Sequence, residues 1–429
     1  MATLGRLKAV IILLVGSGAR EHALALSLSK DPAVSALHAV PGNPGIGTLA
    51  TLHHCDPNDG VAVADLAKEL GADLVVVGPE APLVAGVADS VRALGIPVFG
   101  PSGAAAMLEG SKAFAKEVMD AAGVPTAASR TCYELGALIG ALNEFGAPYV
   151  VKDDGLAAGK GVVVTNDRDE AIEHAEAIFA AGGTVVVEDY LDGPEVSLFC
   201  LCDGSTVIPL QPAQDFKRAY DKDDGPNTGG MGAYTPLPWA PPGLVAEVVQ
   251  RVAQPTVDEM VRRGTPFTGV LYCGLALTSA GLRVVEFNAR FGDPETQVVL
   301  ARLETPLGGV LLAAAQGRLA DIAALQWSDD AAVTVVIAAD GYPANPRKGD
   351  PITGIEAAEA LDGVHVLHAG TADEAGTLVS AGGRVLTVVG TGSGLAAARE
   401  RAYAGVYAIS LPGSHHRVDI ALKASEVVG

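Results

Sequence analysis

Residues 150–164 read "VVKDDGLAAGKGVVV": an apolar run, a glycine-rich loop carrying Lys160, and a second apolar run. A glycine-rich loop with a lysine suggests phosphate, and the spacing decides which phosphate machine it belongs to. A P-loop needs G-x-x-x-x-G-K followed by Ser or Thr, whose hydroxyl reaches magnesium. Here three residues separate Gly155 from Gly159, and Gly161 follows Lys160. No helix is expected afterwards, because Val162, Val163 and Val164 are β-branched and bounded by "TNDRD", which reads as a strand. The stretch is therefore expected to form a glycine-rich hairpin. Such a hairpin can fold over a triphosphate and offer N–H groups and lysine charge; read alone, it is equally an ordinary turn.

The flanking chain alternates up to about residue 107. "AVIILLV" (9–15), "ALHAV" (36–40), "DLVVV" (73–77) and "PVFG" (97–100) read as strands. Between them, "EHALALSLS", "GVAVADLAKEL" and "LVAGVADSVRAL" (83–94) read as helices. Continuous apolar strands between amphipathic helices indicate a parallel sheet covered on both faces, whose ligands sit beyond the carboxyl ends of the strands. "GSGAREH" (16–22) and "GPEAPL" (78–83) both occupy that edge. A dinucleotide fingerprint would place glycine where Glu21 stands, so nicotinamide binding is not expected. Helix N-terminal N–H groups near Gly16 and Gly18 suit phosphate, while the Glu21 and Glu80 carboxylates suit a sugar or amine.

From Leu108 to about Trp327 the pattern changes. The helix in "SKAFAKEVMDAAG" leads into the hairpin unit, and "TVVVEDYL", "PEVSLFCLCDG" and "TVIPLQPA" follow with little helix between them, as in an antiparallel sheet. A long helix is expected over 244–263, then a hairpin turning at 279–281. "PAQDFKRAYDKDDGPNTGGMGAYTP" (212–236) reads as a long polar loop of the kind that forms lids. The mixed charges of Asp215, Lys217 and Arg218 suit a zwitterionic substrate. A third block begins at "AAVTVVIAA" (331–339). The expected architecture is α/β and α+β in three domains: a Rossmann-like unit (1–107), a second domain (108–327) with a small subdomain at about 125–190, and a C-terminal mixed β domain (328–429).

Composition excludes several classes of function. The formal charge of −21 argues against nucleic-acid or anionic-membrane partners. No run approaches the ~18 apolar residues of a membrane span. Five cysteines without C-x-x-C spacing fit a reducing compartment, so a cytoplasmic location is expected. The histidines, including His22, His53 and His54, lack metal-ligand spacing.

"VVEFNARFGDPETQ" (284–297) carries the most chemistry. Glu286 and Asn288, two apart on a strand, point to one face and supply hard oxygen donors for magnesium, which takes its remaining ligands from phosphate and water. Arg290 continues that face and can hold a phosphoryl group or carboxylate bidentately. Asp293 opens the following turn.

In order along nearly the whole chain, these runs resemble the phosphoribosylamine–glycine ligases (glycinamide ribonucleotide synthetases), a branch of the ATP-grasp enzymes. The resemblance rests on "GSGAREHAL", "VVGPEAPL", "EGSKAFAKEVM", "VVKDDGLAAGKGV", "DGPEVSLFCLCDG", "AQDFKRAYDKDDGPNTGGMGAY", "GVLYCGLALT" and "EFNARFGDPETQ", with "GYPANPRKGDPI", "HAGT" and "GGRVL" beyond them. It implies an ATP-dependent ligase of de novo purine biosynthesis that joins glycine to 5-phosphoribosylamine through glycyl phosphate. Magnesium, or manganese in its place, would be the metal and a monomer the working unit. By the same resemblance, the 150–164 hairpin is the flap over the triphosphate, with Gly155, Gly159, Lys160 and Gly161 in it. Lys112 and Lys152 contact ATP phosphates, Glu188, Asp189, Tyr190 and Leu191 form the hinge against adenine, and Glu195 meets the ribose. Glu286 and Asn288 are the metal ligands and Arg290 steadies the transferring phosphate. Asp215, Lys217 and Asp293 surround glycine. Gly16, Gly18, Glu21 and Glu80, with Arg347 and Lys348 from the C-terminal block, receive phosphoribosylamine. Two departures stand out: Asp153 adds a negative charge beside Lys152, and Phe216 occupies a place where the family usually carries histidine, which bears on glycine affinity.

Overall fold

The structure, a computed structural model, describes residues 9–156 and 161–426. Strands β1 (Val10–Gly16), β2 (Val34–Pro41), β3 (Thr51–Leu52), β4 (Leu74–Val77) and β5 (Val98–Phe99) form a parallel sheet in the order β3-β2-β1-β4-β5. Ile12, Leu13, Leu14 and Val15 are fully buried because helices cover both faces of this sheet. Val15 pairs with Val40 and Val77, which brings the Gly16 and Gly78 turns to one edge. The expected single helix over 83–94 is two, Glu80–Val84 and Val87–Ala93. Gly86 separates them in the left-handed region (φ +82°), a conformation that only glycine adopts without a Cβ clash.

Strands β6 (Ser129–Cys132), β7 (Tyr149–Asp153), β8 (Val162–Thr165) and β9 (Val185–Glu188) make an antiparallel sheet, order β6-β9-β7-β8. The expected hairpin is present: β7 pairs with β8, with Lys152 opposite Val162. Helices Leu135–Phe145 and Arg168–Ala180 close a small core of their own over this sheet, built from Leu138, Leu142, Val151, Ile178 and Val187.

Strands β10 (Glu195–Asp203) and β11 (Val207–Pro209) open the next sheet. The chain then runs through β12 (Gln214–Asp215), β13 (Arg218–Tyr220), β14 (Asp224–Asn227) and β15 (Gly232–Thr235). The 212–236 segment, expected as a loop, is thus about half strand, in four short pieces. β13 and β14 form a hairpin, while β12 and β15 join the sheet of the C-terminal block. These strands are short, and β15 takes its outer partner about 100 residues away: Gly232 pairs with Val335 and Thr235 with Ala332. The expected 244–263 helix is present but widens into a π-turn at Val249–Ala253. Pro255 explains the widening, since it has no N–H and its ring crowds the carbonyl one turn earlier.

Strands β16 (Thr268–Thr278) and β17 (Gly281–Asn288) complete the β11-β10-β16-β17 antiparallel sheet. The register shifts between Gly274 and Leu275, so Val285 is bulged and its carbonyl is free for another donor. β18 (Ala331–Ala338), buried along its whole length, anchors the C-terminal sheet. With β19 (Val364–His368), the hairpin β20 (Thr371–Glu374) and β21 (Thr377–Ser380), and β22 (Arg384–Gly392), the strands are complete; the sheet order is β12-β15-β18-β22-β19.

Candidate active site

A cavity of about 820 Å³ lies where the flap sheet, the β10–β17 sheet and the N- and C-terminal blocks meet. A second hollow of about 970 Å³, floored by Pro209, Leu237, Leu244 and Val249, has one charged residue, Asp258, in its lining and no reactive constellation. The first cavity is different. Eight of the chain's 29 lysines and arginines line it, so a protein of net charge −21 still presents concentrated positive charge to an anion. Ten carboxylates interleave with them, which leaves room for a metal and for a zwitterion.

The lysine wall comes from helix Lys112–Ala122 and from β7. Ser111 caps this helix through Phe114 N, and Asp154 on the flap loop accepts from Ala113 N at 2.8 Å and from the Ser111 hydroxyl. The flap is therefore stapled to the helix start. Lys112 Nζ donates to Gly155 O at 3.0 Å, and burial lowers its pKa against the raising effect of Glu286. Lys152 Nζ reaches the bulged carbonyl of Val285 at 3.2 Å and Glu188 Oε2 at 2.9 Å. Asp189, Tyr190, Leu191 and Glu195 line the cavity beside Glu188, as do Gly155 and Gly161. Gly159 and Lys160 lie outside the described residues.

A second group surrounds Arg290. Its Nε sits 3.0 Å from Glu80 Oε2 and its Nη2 2.8 Å from Glu109 Oε1; Nη2 is also 3.4 Å from Asn288 Oδ1. Glu109 Oε2 in turn accepts from Ala289 N at 2.8 Å. Burial works against ionising Glu80, yet Arg290 and Arg20 hold its carboxyl down to about 2. Burial raises the pKa of Glu109, with Arg290 opposing.

At the floor, Lys217 pairs with Glu195 and stands 3.8 Å from Asp215 Oδ1. Burial pushes Asp215 up to about 7; Lys217 opposes, while Glu295 and Glu195 add to the rise. Glu295 accepts from the Tyr272 and Ser197 hydroxyls at 2.8 and 3.1 Å. Phe216 lines the cavity beneath Arg417, whose guanidinium carbon lies 5.0 Å from the ring centroid.

The expected substrate residues divide. Glu80 and Asp293 line the cavity, and Asp293 is held by Arg384 (3.4 Å) and Gln297 (2.8 Å). The Gly16–Gly18 loop adjoins Asp293 without lining the cavity. At Gly16 (φ +129°) a Cβ would strike Glu21, so only glycine fits. Glu21, expected at substrate, is instead occupied at its own helix start, accepting from Gly18 N (2.6 Å) and Arg20 Nε. Arg347, expected to reach in, is bound to Asp340, Asp350 and Pro412 O, and Lys348 is exposed outside the cavity. The C-terminal cation at the cavity is Arg384, within the "GGRVL" run. Arg20, Glu109, Lys116, Ser197, Tyr272 and Glu295 were also not singled out by sequence. All six lie in the motif runs that carry the resemblance, but only the fold shows which way they face.

Glu286 and Asn288 project together from the end of β17 into the cavity. Among the described residues no group of three or more His, Cys, Asp or Glu could hold a metal. Two oxygen donors beside a lysine wall fit a cation whose other ligands arrive with a polyphosphate.

A β-hairpin flap over a lysine-lined cavity, closed from below by an antiparallel sheet ending in Glu-x-Asn, defines an ATP-grasp ligase. Models of the phosphoribosylglycinamide synthetase N domain, ATP-grasp (A) domain and C domain match residues 10–109, 110–296 and 332–423, and the chain belongs to that family. It is 67% identical over 416 residues to the phosphoribosylamine–glycine ligase of Streptomyces coelicolor (96% of this chain, 99% of the relative). It is 58% identical to that of Mycobacterium tuberculosis over 421 residues (97% and 98%). A crystal structure of the Thermotoga maritima ligase superposes with a TM-score of 0.83 at 32% identity, covering 96% of this chain and all of the other. The biotin carboxylase domain of a Hydrogenobacter thermophilus 2-oxoglutarate carboxylase shares the fold at 17% identity, with a TM-score of 0.72 over 95% and 91% of the two chains.

Proposed function

We propose that this chain ligates glycine to 5-phosphoribosylamine with ATP, giving glycinamide ribonucleotide, ADP and phosphate through glycyl phosphate in purine biosynthesis. The observation that carries this reading is the cavity itself: a lysine wall, the Glu286–Asn288 pair, the Arg290 fork and the Asp215–Lys217 floor converge in one space beneath the flap. The relatives' activity supports the choice of substrates.

In this reading Lys112, Lys152 and the flap backbone at Gly155 and Gly161 neutralise the triphosphate. Residues Glu188–Leu191 receive adenine and Glu195 the ribose. Glu286 and Asn288 would hold the divalent cation, magnesium or manganese, which supplies Lewis acidity at the γ-phosphate. A glycine carboxylate oxygen attacks the γ-phosphorus and ADP leaves; Arg290, fixed by Glu80 and Glu109, stabilises the charge developing on the phosphoryl oxygens. The amine of phosphoribosylamine then attacks the acyl carbon, phosphate departs, and the amine loses a proton. Asp215, poised near neutrality, orients the glycine ammonium together with Asp293. Glu80, the Gly16–Gly18 loop and Arg384 receive phosphoribosylamine. Closing the flap keeps water from the acyl phosphate. The enzyme acts in the cytoplasm as a monomer.

ADP release by purified protein, with ATP, magnesium and glycine, tests the assignment. ADP should appear only when freshly made phosphoribosylamine is added, and alanine should replace glycine poorly. Turnover indifferent to phosphoribosylamine but triggered by another amine would overturn the substrate assignment.

A further inference from the structure

We propose that Lys116 is a positioning residue for nucleotide binding, which sets the Glu188–Lys152 pair and locks the flap hinge. It lies one turn beyond Lys112 on the same helix face and lines the cavity with its side chain 10% exposed.

Three bonds converge on its ammonium. It donates to Thr126 Oγ1 at 2.8 Å and to Ala127 O at 3.0 Å, both on the segment that leads into β6 and the flap. It also stands 3.3 Å from Glu188 Oε1 on the strand that leads out. The two segments touch there, with Asp189 N donating to Ala128 O at 2.9 Å. The incoming segment is pinned to β17 as well: Thr126 Oγ1 donates to Val284 O and Val284 N to Pro125 O. Lys116 is therefore a cation of the main body placed where both arms of the flap cross it.

The second consequence passes through Glu188. Its carboxylate is 3% exposed and divided between two cations, Oε1 on Lys116 and Oε2 on Lys152. Lys152 stands at 2.9 Å and Lys116 at 3.3 Å, so the two cations share one carboxylate's charge and Lys152 feels only part of it. Without Lys116, the whole charge of a buried carboxylate falls on Lys152, which then yields less readily to an incoming phosphate. Lys116 thus acts on the nucleotide through Glu188, not by touching it.

This inference rests on the proposed function only in taking ATP as the ligand, so its test is binding and not turnover. The dissociation constant of magnesium–ATP is measured by calorimetry for the intact protein, Lys116→Met, Glu188→Gln and the double variant. Lys116→Met is expected to weaken ATP about tenfold, the worth of one charge-assisted bond. In the Glu188→Gln background the same change should weaken it less than about twofold, because the residue it acts through is gone. Lys116→Arg, which keeps the donors, should bind within about threefold of the parent. Amide exchange at Asp189 should accelerate in Lys116→Met without nucleotide. Equal weakening in both backgrounds would mean direct contact with the nucleotide and would overturn the proposal, as would unchanged exchange at Asp189. Should the methionine variant not fold, Lys116→Gln carries the same comparison. A parent protein that binds ATP but makes no glycinamide ribonucleotide would sink the ligase reading and leave this test intact.

Discussion

Replacing Arg290 by lysine tests whether the fork at the end of β17 is catalytic or merely structural. The guanidinium spans two carboxylates from distant segments, Glu80 after β4 and Glu109 at the end of helix Gly103–Gly110, at 3.0 and 2.8 Å. A lysine keeps the charge but presents it at one point, so it retains one of these partners at best. Losing one charge-assisted bond costs about 1.5–3 kcal/mol, which urea unfolding should register as a fall of that size. Catalysis should suffer separately. If Arg290 stabilises charge on the transferring phosphoryl group, misplacing its donors should lower kcat by about 10² to 10³, with KM for ATP within about threefold because the lysine wall is untouched. Initial rates of ADP release with both substrates saturating give kcat directly. A lysine variant that loses the expected stability while kcat stays within threefold of the parent would refute the catalytic argument.

Buried histidines should make the fold acid-sensitive. His22 and His368 stack edge-on at 5.6 Å, and His22 Nδ1 accepts from His368 N at 2.8 Å, which requires that nitrogen to be unprotonated. Burial, helped for His22 by its neighbour, depresses their pKa values to about 3 and about 4. The unfolded chain therefore binds more protons below about pH 6.5, and stability is expected to fall as pH drops from there, by about 2.5 kcal/mol per unit near pH 5. His22→Gln should roughly halve that slope in urea titrations; an unchanged slope would exclude this pair as the cause. Chelation with EDTA should abolish ADP release and added magnesium restore it, while Glu286→Gln should require at least about tenfold more magnesium for half-maximal rate; equal metal demand would remove Glu286 from the metal site. Phe216→His should change KM for glycine by less than about threefold, because Arg417, 5.0 Å above the ring, disfavours an imidazolium there. A tenfold gain in glycine affinity would show that the histidine matters.

Much of this molecule was legible along the chain. The 150–164 hairpin was readable because β-branched residues flank glycines, and the Glu286–Asn288 pair because a strand repeats every two residues. The parallel sheet followed from "VIILLV" and "LVVV", whose unbroken apolar character requires cover on both faces. Such signals lie within a few contiguous residues. The 212–236 segment escaped because its strands are only two to four residues long and one of them, β15, takes its outer partner from distant β18. Helix 83–94 escaped because one glycine adopts a left-handed conformation there.

By itself, the sequence determined the type and order of most elements and placed Glu286 and Asn288 on one face of a strand, since both depend on local periodicity. Only the tertiary structure decided which charge meets which. Arg290 finds Glu80 across 210 positions and Lys152 finds the Val285 carbonyl across 133. Arg384, not Arg347, stands at the cavity beside Asp293, 91 positions away. Arg347 and Glu21 carry suitable charge, but neighbours within a few residues or on an adjoining turn already neutralise them. A charge is available to a ligand only if the fold leaves it without a nearer partner, and that depends on how distant segments cross.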